Sequence, residues 1–316
     1  MSDAAVASVD TRPPRRGRRG RKVALGILVA VLVIAAPFAY SFRRQIWSYL
    51  THWKGSPTST VAYTHYEPAP PLHLAVAGDA GDSGSRLDAT AAAIAGVGTH
   101  DPYDVLLLLG DNVYPDGNPA RIDETVMQPF AATLADAELL AILGNHDRWD
   151  DGGDAQLAAL GMPGHWWSRT FGDVLIVGLD SNRTSDPDQI AFLDATLANS
   201  DAVWKIVAVH HPPYSAGYQG SSRDVRETFG PLFERHGVQL VLSGHDHDFQ
   251  RSRVIRGVTY VVTGAASGTR RTGEASFTAR SFSWHHYLDL AIFPDHIEGR
   301  AVNQDERVAD TFVVTP

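Results

Sequence analysis

Short, fully apolar runs recur along the chain from residue 72 onward, and several lead directly into a glycine and a polar residue. Val105 to Leu109 is an example, because these five apolar residues are followed at once by Gly110 and Asp111. A short run without polar positions is typical of a strand that is buried on both faces. The glycine then turns the chain, so the next side chains project from the carboxyl end of the strand. In α/β proteins this edge is where ligands bind.

Strands alternate with helices up to residue 242, and only strands are predicted after it. The predicted helices are Leu87–Val97, Ile122–Leu134, Gln189–Leu197 and Val225–Arg235. The predicted strands are Leu72–Ala77, Val105–Leu109, Leu139–Leu143, Trp166–Phe171, Val174–Leu179, Val203–Val209, Val238–Leu242, Val258–Val262, Trp284–Ile292, Ile297–Val302 and Val308–Val313. This order predicts an α/β fold: a four-layer αββα sandwich of two mixed β-sheets flanked by helices.

A longer apolar run precedes the sandwich. Val23 to Tyr40 is almost unbroken and would span roughly 27 Å as a helix, close to the bilayer core of about 30 Å. Arginines crowd the residues before it, and such a basic flank stays in the cytoplasm. We therefore expect a single-pass, uncleaved transmembrane signal anchor with the catalytic domain outside the cytoplasm. The alternative is a cleaved secretory signal, which would make the domain a secreted protein.

These patterns divide the chain into four parts. Residues 1–22 are predicted as a basic cytoplasmic tail, residues 23–40 as the anchor, and residues 41–70 as a juxtamembrane stem. The stem is rich in Ser, Thr and Pro, which is typical of a linker. Residues 71–316 remain as one catalytic domain, whose length of about 245 residues is within the range of single domains.

Charge and cysteine content narrow the chemistry. The formal net charge is -9, and because basic residues are concentrated in the first 22 positions, the domain itself is strongly acidic. An acidic body argues against nucleic acid as a partner. Cysteine is absent, so a thiolate nucleophile is excluded and any metal must be held by nitrogen and oxygen ligands.

The polar residues that follow the strands are of types that bind metals. They are Asp79, Asp111, Tyr114, Asn145, His210, His245 and His247. Since the carboxyl ends of strands can meet at one edge of a sheet, we expect two overlapping ligand sets there. His245 and His247 alternate along an extended segment and therefore face the same side. Two cations about 3.5–4 Å apart need a shared anionic ligand, and Asp111, central in the series, is the natural candidate.

Five motifs occur in one order, each after a predicted strand. They are Gly78-Asp79-Ala80-Gly81, Gly110-Asp111-Asn112-Val113-Tyr114, Gly144-Asn145-His146-Asp147, Val209-His210-His211-Pro212 and Gly244-His245-Asp246-His247. With them the sequence resembles the calcineurin-like metallophosphoesterases, and within these the small, tartrate-resistant-like purple acid phosphatases. The resemblance covers roughly Leu72 to Pro316.

The resemblance implies a role for each matching position. The first metal would be bound by Asp79, Tyr114 and His247, the second by Asn145, His210 and His245, and Asp111 would bridge both. His146 would contact phosphate or protonate the leaving alkoxide. Most of the wider family has Asp-x-His in the first motif, whereas here Gly81 occupies the third position and Tyr114 is present instead. That exchange implies Fe(III) in the first site, with Fe(II), Zn(II) or Mn(II) in the second.

The expected activity is hydrolysis of small-molecule phosphate monoesters by a metal-bound hydroxide. The alternative is a Mn/Zn metallophosphodiesterase that acts on nucleotides or glycerophosphodiesters. A third and weaker hypothesis is a non-catalytic surface binding protein, which predicts damaged ligand positions, and none of them is damaged.

Three further polar residues belong to the motifs without being expected ligands. Asp147 and Asp246 are predicted to support ligands or turns. His211 precedes two prolines and either contacts substrate or has a structural role.

Overall fold

The computed structural model of the chain describes residues 55–148 and 151–316. Within these ranges the strands are β1 (Val61–Ala62), β2 (Leu72–Ala77), β3 (Val105–Leu108), β4 (Glu138–Ala141), β5 (Trp167–Phe171), β6 (Val174–Leu179), β7 (Trp204–Val209), β8 (Leu240–Ser243), β9 (Phe249–Ser252), β10 (Thr259–Thr263), β11 (Thr278–Phe282), β12 (His286–Ile292), β13 (Ile297–Asn303) and β14 (Arg307–Val314). The α-helices are α1 (Ser85–Gly98), α2 (Ala131–Leu134), α3 (Asp154–Ala159), α4 (Pro187–Ala198), α5 (Arg223–Thr228) and α6 (Gly230–Arg235).

The strands of the described chain form two seven-stranded mixed sheets. The first has the order β1-β14-β13-β12-β2-β3-β4, and the second has the order β11-β9-β10-β8-β7-β6-β5. In the first sheet β2, β3 and β4 are parallel, and in the second β6, β7, β8 and β10 are parallel. The remaining pairings are antiparallel. The predicted α/β sandwich of two mixed sheets is therefore confirmed.

Burial on both faces explains why the parallel strands are largely apolar. In β2, Leu74 and Val76 belong to the core that also contains Ile206 of the second sheet. Ala75 and Ala77 alternate with them and pack under α1 on the opposite face. Helices α4 and α6 cover the second sheet in the same way. A strand that is buried on both faces has no solvent-facing side for polar residues. The polar side chains of the candidate site therefore follow the strand ends.

Two predicted helices are interrupted in the structure. Ile122–Leu134 was expected as one helix, but Asp123–Met127 forms a π-helical turn and α2 begins only after Pro129. Val225–Arg235 was also expected as one helix, and it divides into α5 and α6 at Gly230 and Pro231. A proline has no N–H to donate to the preceding turn, and its ring clashes with that turn. Both interruptions could therefore have been predicted from the prolines in the sequence.

The described part of the predicted stem contacts the sandwich. Strand β1 pairs with β14, and Tyr66 is only 7% exposed. The predicted anchor, Val23 to Tyr40, lies outside the described residues. Within 55–148 and 151–316, no helix combines the length and the apolar character that crossing a membrane requires.

Candidate metal centre

Within each sheet, backbone hydrogen bonds join motifs that follow neighbouring parallel strands. The Asp79 N–H donates to the Gly110 carbonyl at 3.0 Å, and the Gly81 N–H donates to the Asp111 carbonyl at 2.9 Å. In the second sheet the Gly244 N–H donates to the His210 carbonyl at 3.1 Å. Four of the five motifs are thus held by a neighbouring motif before any side chain is considered.

Three of the candidate ligands have a left-handed backbone. The φ angles are 56° at Asp79, 51° at Asp111 and 70° at His245. Non-glycine residues seldom adopt this region, which costs on the order of 1–3 kcal/mol at each position, and such strain clusters at functional sites. The strand ends therefore accept strain in order to direct these side chains inward.

Each carboxylate is held through one oxygen and presents the other. Asp79 Oδ2 accepts from the His245 N–H at 2.8 Å, and Asp111 Oδ1 accepts from the His146 N–H at 2.9 Å. Close approach to Asp111 requires glycine at position 144, where a Cβ would lie 2.1 Å from Asp111 Oδ1. The other oxygen of each carboxylate faces the remaining donors.

A first group of donor atoms surrounds the Tyr114 hydroxyl. Its oxygen lies 3.1 Å from Asp79 Oδ1, 3.1 Å from Asp111 Oδ2 and 3.0 Å from His247 Nε2. The phenol and a neutral imidazole bring at most one proton each to this group, while the carboxylates bring two negative charges. Burial raises the pKa of Tyr114, as do Asp79 and Asp111, because phenolate would add a third negative charge. A bound cation reverses that preference.

A second group forms around His210, which is fully buried. Its Nδ1 lies 2.8 Å from the Leu109 carbonyl oxygen, which can only accept, so Nε2 is the nitrogen left to bind a metal. This Nε2 lies 3.2 Å from Asn145 Oδ1 and 3.5 Å from Asp111 Oδ2. Asp111 Oδ2 therefore lies next to both groups, which is the position of a bridging ligand.

Without a bound cation, a proton on His210 would offset only part of the negative charge of Asp79 and Asp111. Burial alone would lower the pKa of His210, but Asp111 outweighs it and raises this pKa to about 10. Burial likewise opposes ionisation of Asp111, and the His210 charge outweighs it and holds the pKa of Asp111 below its usual range. Donor atoms of Asp79, Asp111 and His210 all lie within 4.8 Å of one another. This convergence of negative charge with nitrogen and oxygen donors fits cations in place of that proton.

The other two predicted site histidines lie on either side of these groups. The His245 ring is 5.2 Å from the His210 ring, and burial, followed by the His210 charge, lowers the pKa of His245 to about 2. A neutral imidazole of this kind can act as a metal ligand. The His146 ring packs edge-on against Tyr114 at 4.8 Å, and its Nδ1 lies 2.6 Å from the Pro115 carbonyl oxygen.

The geometry also explains why tyrosine accompanies glycine in the first two motifs. A Cβ at Gly81 would lie 2.6 Å from the Val113 nitrogen and 2.7 Å from the Tyr114 nitrogen. The Tyr114 N–H in turn donates to the Gly81 carbonyl at 3.0 Å. No side chain fits at position 81, so the donor comes from the adjacent loop instead.

Asp147 and Asp246 hold the loops, as predicted from their places in the motifs. Asp147 is fully buried and accepts from the N–H groups of Gly144 at 2.8 Å and Asn112 at 2.9 Å. Burial and the nearby Asp111 raise the pKa of Asp147 to about 6. Asp246 accepts from the Gln219 N–H at 2.7 Å and fixes the loop after β7.

One strand end was missed in the sequence. After β6, Asn182 Nδ2 donates to the Gly144 carbonyl at 3.0 Å, and Ser181 Oγ lies 2.7 Å from His211 Nδ1. The available signal was the apolar run Val174–Leu179 followed by Asp180-Ser181-Asn182, which is the same pattern that marked the five motifs.

Comparison with known proteins agrees with this geometry. The family model described as calcineurin-like phosphoesterase matches residues 72–249. Purple acid phosphatase 17 of Arabidopsis thaliana is 27% identical over 228 residues, which are 61% of this chain and 67% of that protein. Tartrate-resistant acid phosphatase type 5 of Oryctolagus cuniculus is 27% identical over 198 residues, 51% of this chain and 61% of that one.

Solved structures show the same fold. Purple acid phosphatase PPD1 from yellow lupin seeds superposes with a TM-score of 0.68 at 19% identity, covering 77% of this chain and 53% of that one. GAP50, the anchor in the inner membrane complex of Plasmodium, has a TM-score of 0.68 at 18% identity, with 77% and 88% covered. The chain therefore belongs to the calcineurin-like phosphoesterase family and is a phosphoric ester hydrolase, as the sequence predicted.

Proposed function

We propose that the chain hydrolyses phosphate monoesters at a dinuclear metal centre of the purple acid phosphatase type. The observation that carries the proposal is the position of Asp111 Oδ2, 3.1 Å from the Tyr114 hydroxyl and 3.5 Å from His210 Nε2. One carboxylate oxygen thus serves two groups of donors. The names of the two relatives, a purple acid phosphatase and a tartrate-resistant acid phosphatase, support the same reaction.

The proposed ligand sets follow the two groups. Asp79, Tyr114 and His247 would hold the first cation, Asn145, His210 and His245 the second, and Asp111 both. We propose Fe(III) for the first position, because a phenolate stabilises a hard trivalent ion better than an imidazole does, and Fe(II), Zn(II) or Mn(II) for the second. Bound cations would supply Lewis acidity, which activates water and neutralises the charge of the phosphate.

The chain itself would position and protonate the substrate. His146 Nδ1 is engaged by the Pro115 carbonyl, so Nε2 is the nitrogen available to a substrate. As an imidazolium it would donate from Nε2 to a phosphate oxygen or to the leaving alkoxide. The residue is half-buried, and its backbone N–H is fixed on Asp111 Oδ1, which ties its position to the bridging carboxylate.

Metal analysis combined with a visible spectrum and turnover assays tests the proposal. We expect about two metal ions per chain, a violet band from tyrosinate-to-iron charge transfer, and faster turnover of a phosphate monoester than of a diester. Tyr114→Phe is the matched variant and should lose the band. A colourless, active protein would remove the purple acid phosphatase assignment, and faster diester turnover would favour the phosphodiesterase alternative.

We also propose that Val23 to Tyr40 anchors the chain in the cell membrane with the catalytic domain outside. The unbroken apolar run and its basic flank support this proposal. Fractionation of the full chain after an alkaline carbonate wash provides the test. Recovery in the membrane pellet is expected, and recovery of a shortened chain in the medium would show that the segment is cleaved.

A further inference from the structure

The candidate ligands leave one histidine of the motifs without a role. His211 follows His210 directly and is half-buried. Its ring centroid lies 4.3 Å from that of His245 and 5.1 Å from that of His210. The ring thus borders the second group of donors.

Ser181 determines which nitrogen of His211 carries a proton. The Ser181 Oγ accepts from the His211 backbone N–H at 3.1 Å and lies 2.7 Å from His211 Nδ1. The hydroxyl proton needs an acceptor, and within residues 55–148 and 151–316 Nδ1 is the acceptor in reach. With Ser181 as the donor to Nδ1, the ring carries its own proton on Nε2.

The Nε2–H of His211 is available to a ligand. It has no hydrogen-bond partner in the part of the chain that the structure describes. The His211 side chain is only half-buried, so part of it reaches solvent. An accessible donor without a protein partner, next to His245, is well placed for a bound anion.

Ser181 itself is held firmly. It lies in the 3₁₀ turn Ser181–Arg183, where the Asp180 carboxylate accepts from the Asn182 N–H at 2.8 Å. Asn182 Nδ2 donates to the Gly144 carbonyl at 3.0 Å, which links this turn to the motif that contains Asn145. The turn therefore fixes the Ser181 hydroxyl relative to the second group of donors.

We propose that His211 binds a phosphate oxygen of the substrate through Nε2–H, and that Ser181 is the positioning residue that holds His211 in this tautomer. The inference rests on the proposed function, since it names a further substrate-binding residue of the same site. A neutral donor is suited to this place, because it binds the dianionic ester without adding a positive charge against the metal ions.

Phosphate binding and the tautomer are measured separately. In His211→Ala we expect the inhibition constant of inorganic phosphate and the KM for a monoester to rise about 10- to 100-fold, with unchanged metal content, because a hydrogen bond to a charged group is lost. His211→Gln keeps an N–H donor and should retain part of the affinity. Ser181→Ala should raise both constants by about 3- to 10-fold, and Ser181→Thr, which keeps the hydroxyl, should restore them.

The control variant is His296→Gln. His296 is stacked on Phe293 in the β12–β13 hairpin, at the opposite end of the first sheet from the metal centre. It should bind phosphate like the unmodified protein. If His211→Ala binds phosphate equally well in an enzyme that does hydrolyse monoesters, the inference is wrong while the proposed function stands.

The tautomer has its own readout in ¹⁵N NMR of zinc-loaded protein with labelled histidine rings, where His211→Gln identifies the His211 signals. We expect a protonated Nε2 and an unprotonated Nδ1 for His211, and an averaged pattern in Ser181→Ala. A proton on Nδ1 in the unmodified protein would overturn the inference. This measurement does not depend on turnover, so it remains decisive even if the proposed activity fails.

Discussion

Two buried clusters in this protein combine carboxylates, phenols and imidazoles, and they differ in how the negative charge of their carboxylates is compensated. One is the candidate metal centre. The other, which we name the tyrosine cluster, lies on the outer face of the first sheet and consists of Tyr63, Tyr66, His73, Tyr103 and Asp289. The Asp289 carboxylate accepts from Tyr66 at 2.6 Å and from Tyr103 at 2.8 Å, and both Tyr63 Oη and His73 Nε2 lie 3.1 Å from it.

The two clusters differ in the number of hydrogen-bond donors available to each carboxylate. In the tyrosine cluster Asp289 receives the hydroxyls of Tyr66 and Tyr103, and the Tyr63 hydroxyl is shared between Asp289 and Asp101. Although burial opposes ionisation, the hydrogen bonds from His73, Tyr66 and Tyr103 lower the pKa of Asp289. In the metal centre two carboxylates share the single phenol of Tyr114. The first cluster is complete as it stands, whereas the second is complete only with added positive charge.

The backbone shows the same contrast. None of the five residues of the tyrosine cluster has a positive φ, whereas Asp79, Asp111 and His245 all do. Strain of this kind is retained where function requires it. Residue type therefore does not separate a structural cluster from a site, but the balance of protons and the backbone angle do.

Asp111→Asn gives the largest expected effect. The amide has one neutral oxygen and cannot serve as an anionic bridge, so we expect turnover of a monoester to fall at least about 1,000-fold. The metal-free variant should still fold, because asparagine tolerates a left-handed backbone. Its melting temperature should fall, because the Asp111 charge that pairs with His210 is lost. Turnover assays and thermal unfolding in the presence of a chelator measure the two effects. Retained turnover would contradict a bridging role.

Asp289→Asn should lower stability and leave turnover unchanged. The amide places a donor against phenol hydroxyls, and we expect the free energy of unfolding to fall by about 3 kcal/mol. Turnover per folded molecule and metal content should stay the same, since no residue of the tyrosine cluster is a candidate ligand. Urea denaturation followed by fluorescence gives the stability. Lost activity with unchanged stability would make the tyrosine cluster part of the site.

Local pattern explains why the metal centre was largely predictable and the tyrosine cluster was not. Each candidate ligand follows an apolar run, so the strand and its functional end could be found together. In contrast, Asp289 contacts His73 and Tyr66 across 216 and 223 positions of the sequence. The available signal was a lone carboxylate within the apolar strand Trp284–Ile292. Such a residue needs partners, but nothing local indicates which ones.

The same limit applies to the turn after β6. Ser181 acts on His211 across 30 positions, and the sequence shows only that polar residues follow a strand. The helix interruptions are of another kind, because Pro129 and Pro231 are local and were visible. The spacing of apolar residues in each segment predicts one continuous helix. The helix is interrupted at the proline, because proline has no N–H to donate.

The smallest expected effect comes from making the same substitution, tyrosine to phenylalanine, in both clusters. Tyr66→Phe removes a donor from a satisfied carboxylate, and we expect the free energy of unfolding to fall by about 2 kcal/mol. Tyr114→Phe removes an oxygen from a group rich in acceptors, and without metal it should change this free energy by less than about 0.5 kcal/mol. Urea denaturation of both variants in chelator measures the difference between them.

Bound metal ions should then reverse the order of stability of these two variants. A ligand that binds only the folded state stabilises it by about 2.7 kcal/mol at 100 times its dissociation constant. Tyr66→Phe should gain this stabilisation in full, because its metal ligands are intact, whereas Tyr114→Phe should gain less. If Tyr114→Phe is instead the more damaged variant in chelator, its hydroxyl contributes to the fold in the same way as that of Tyr66. In that case the contrast between the two clusters would rest on their backbone angles alone.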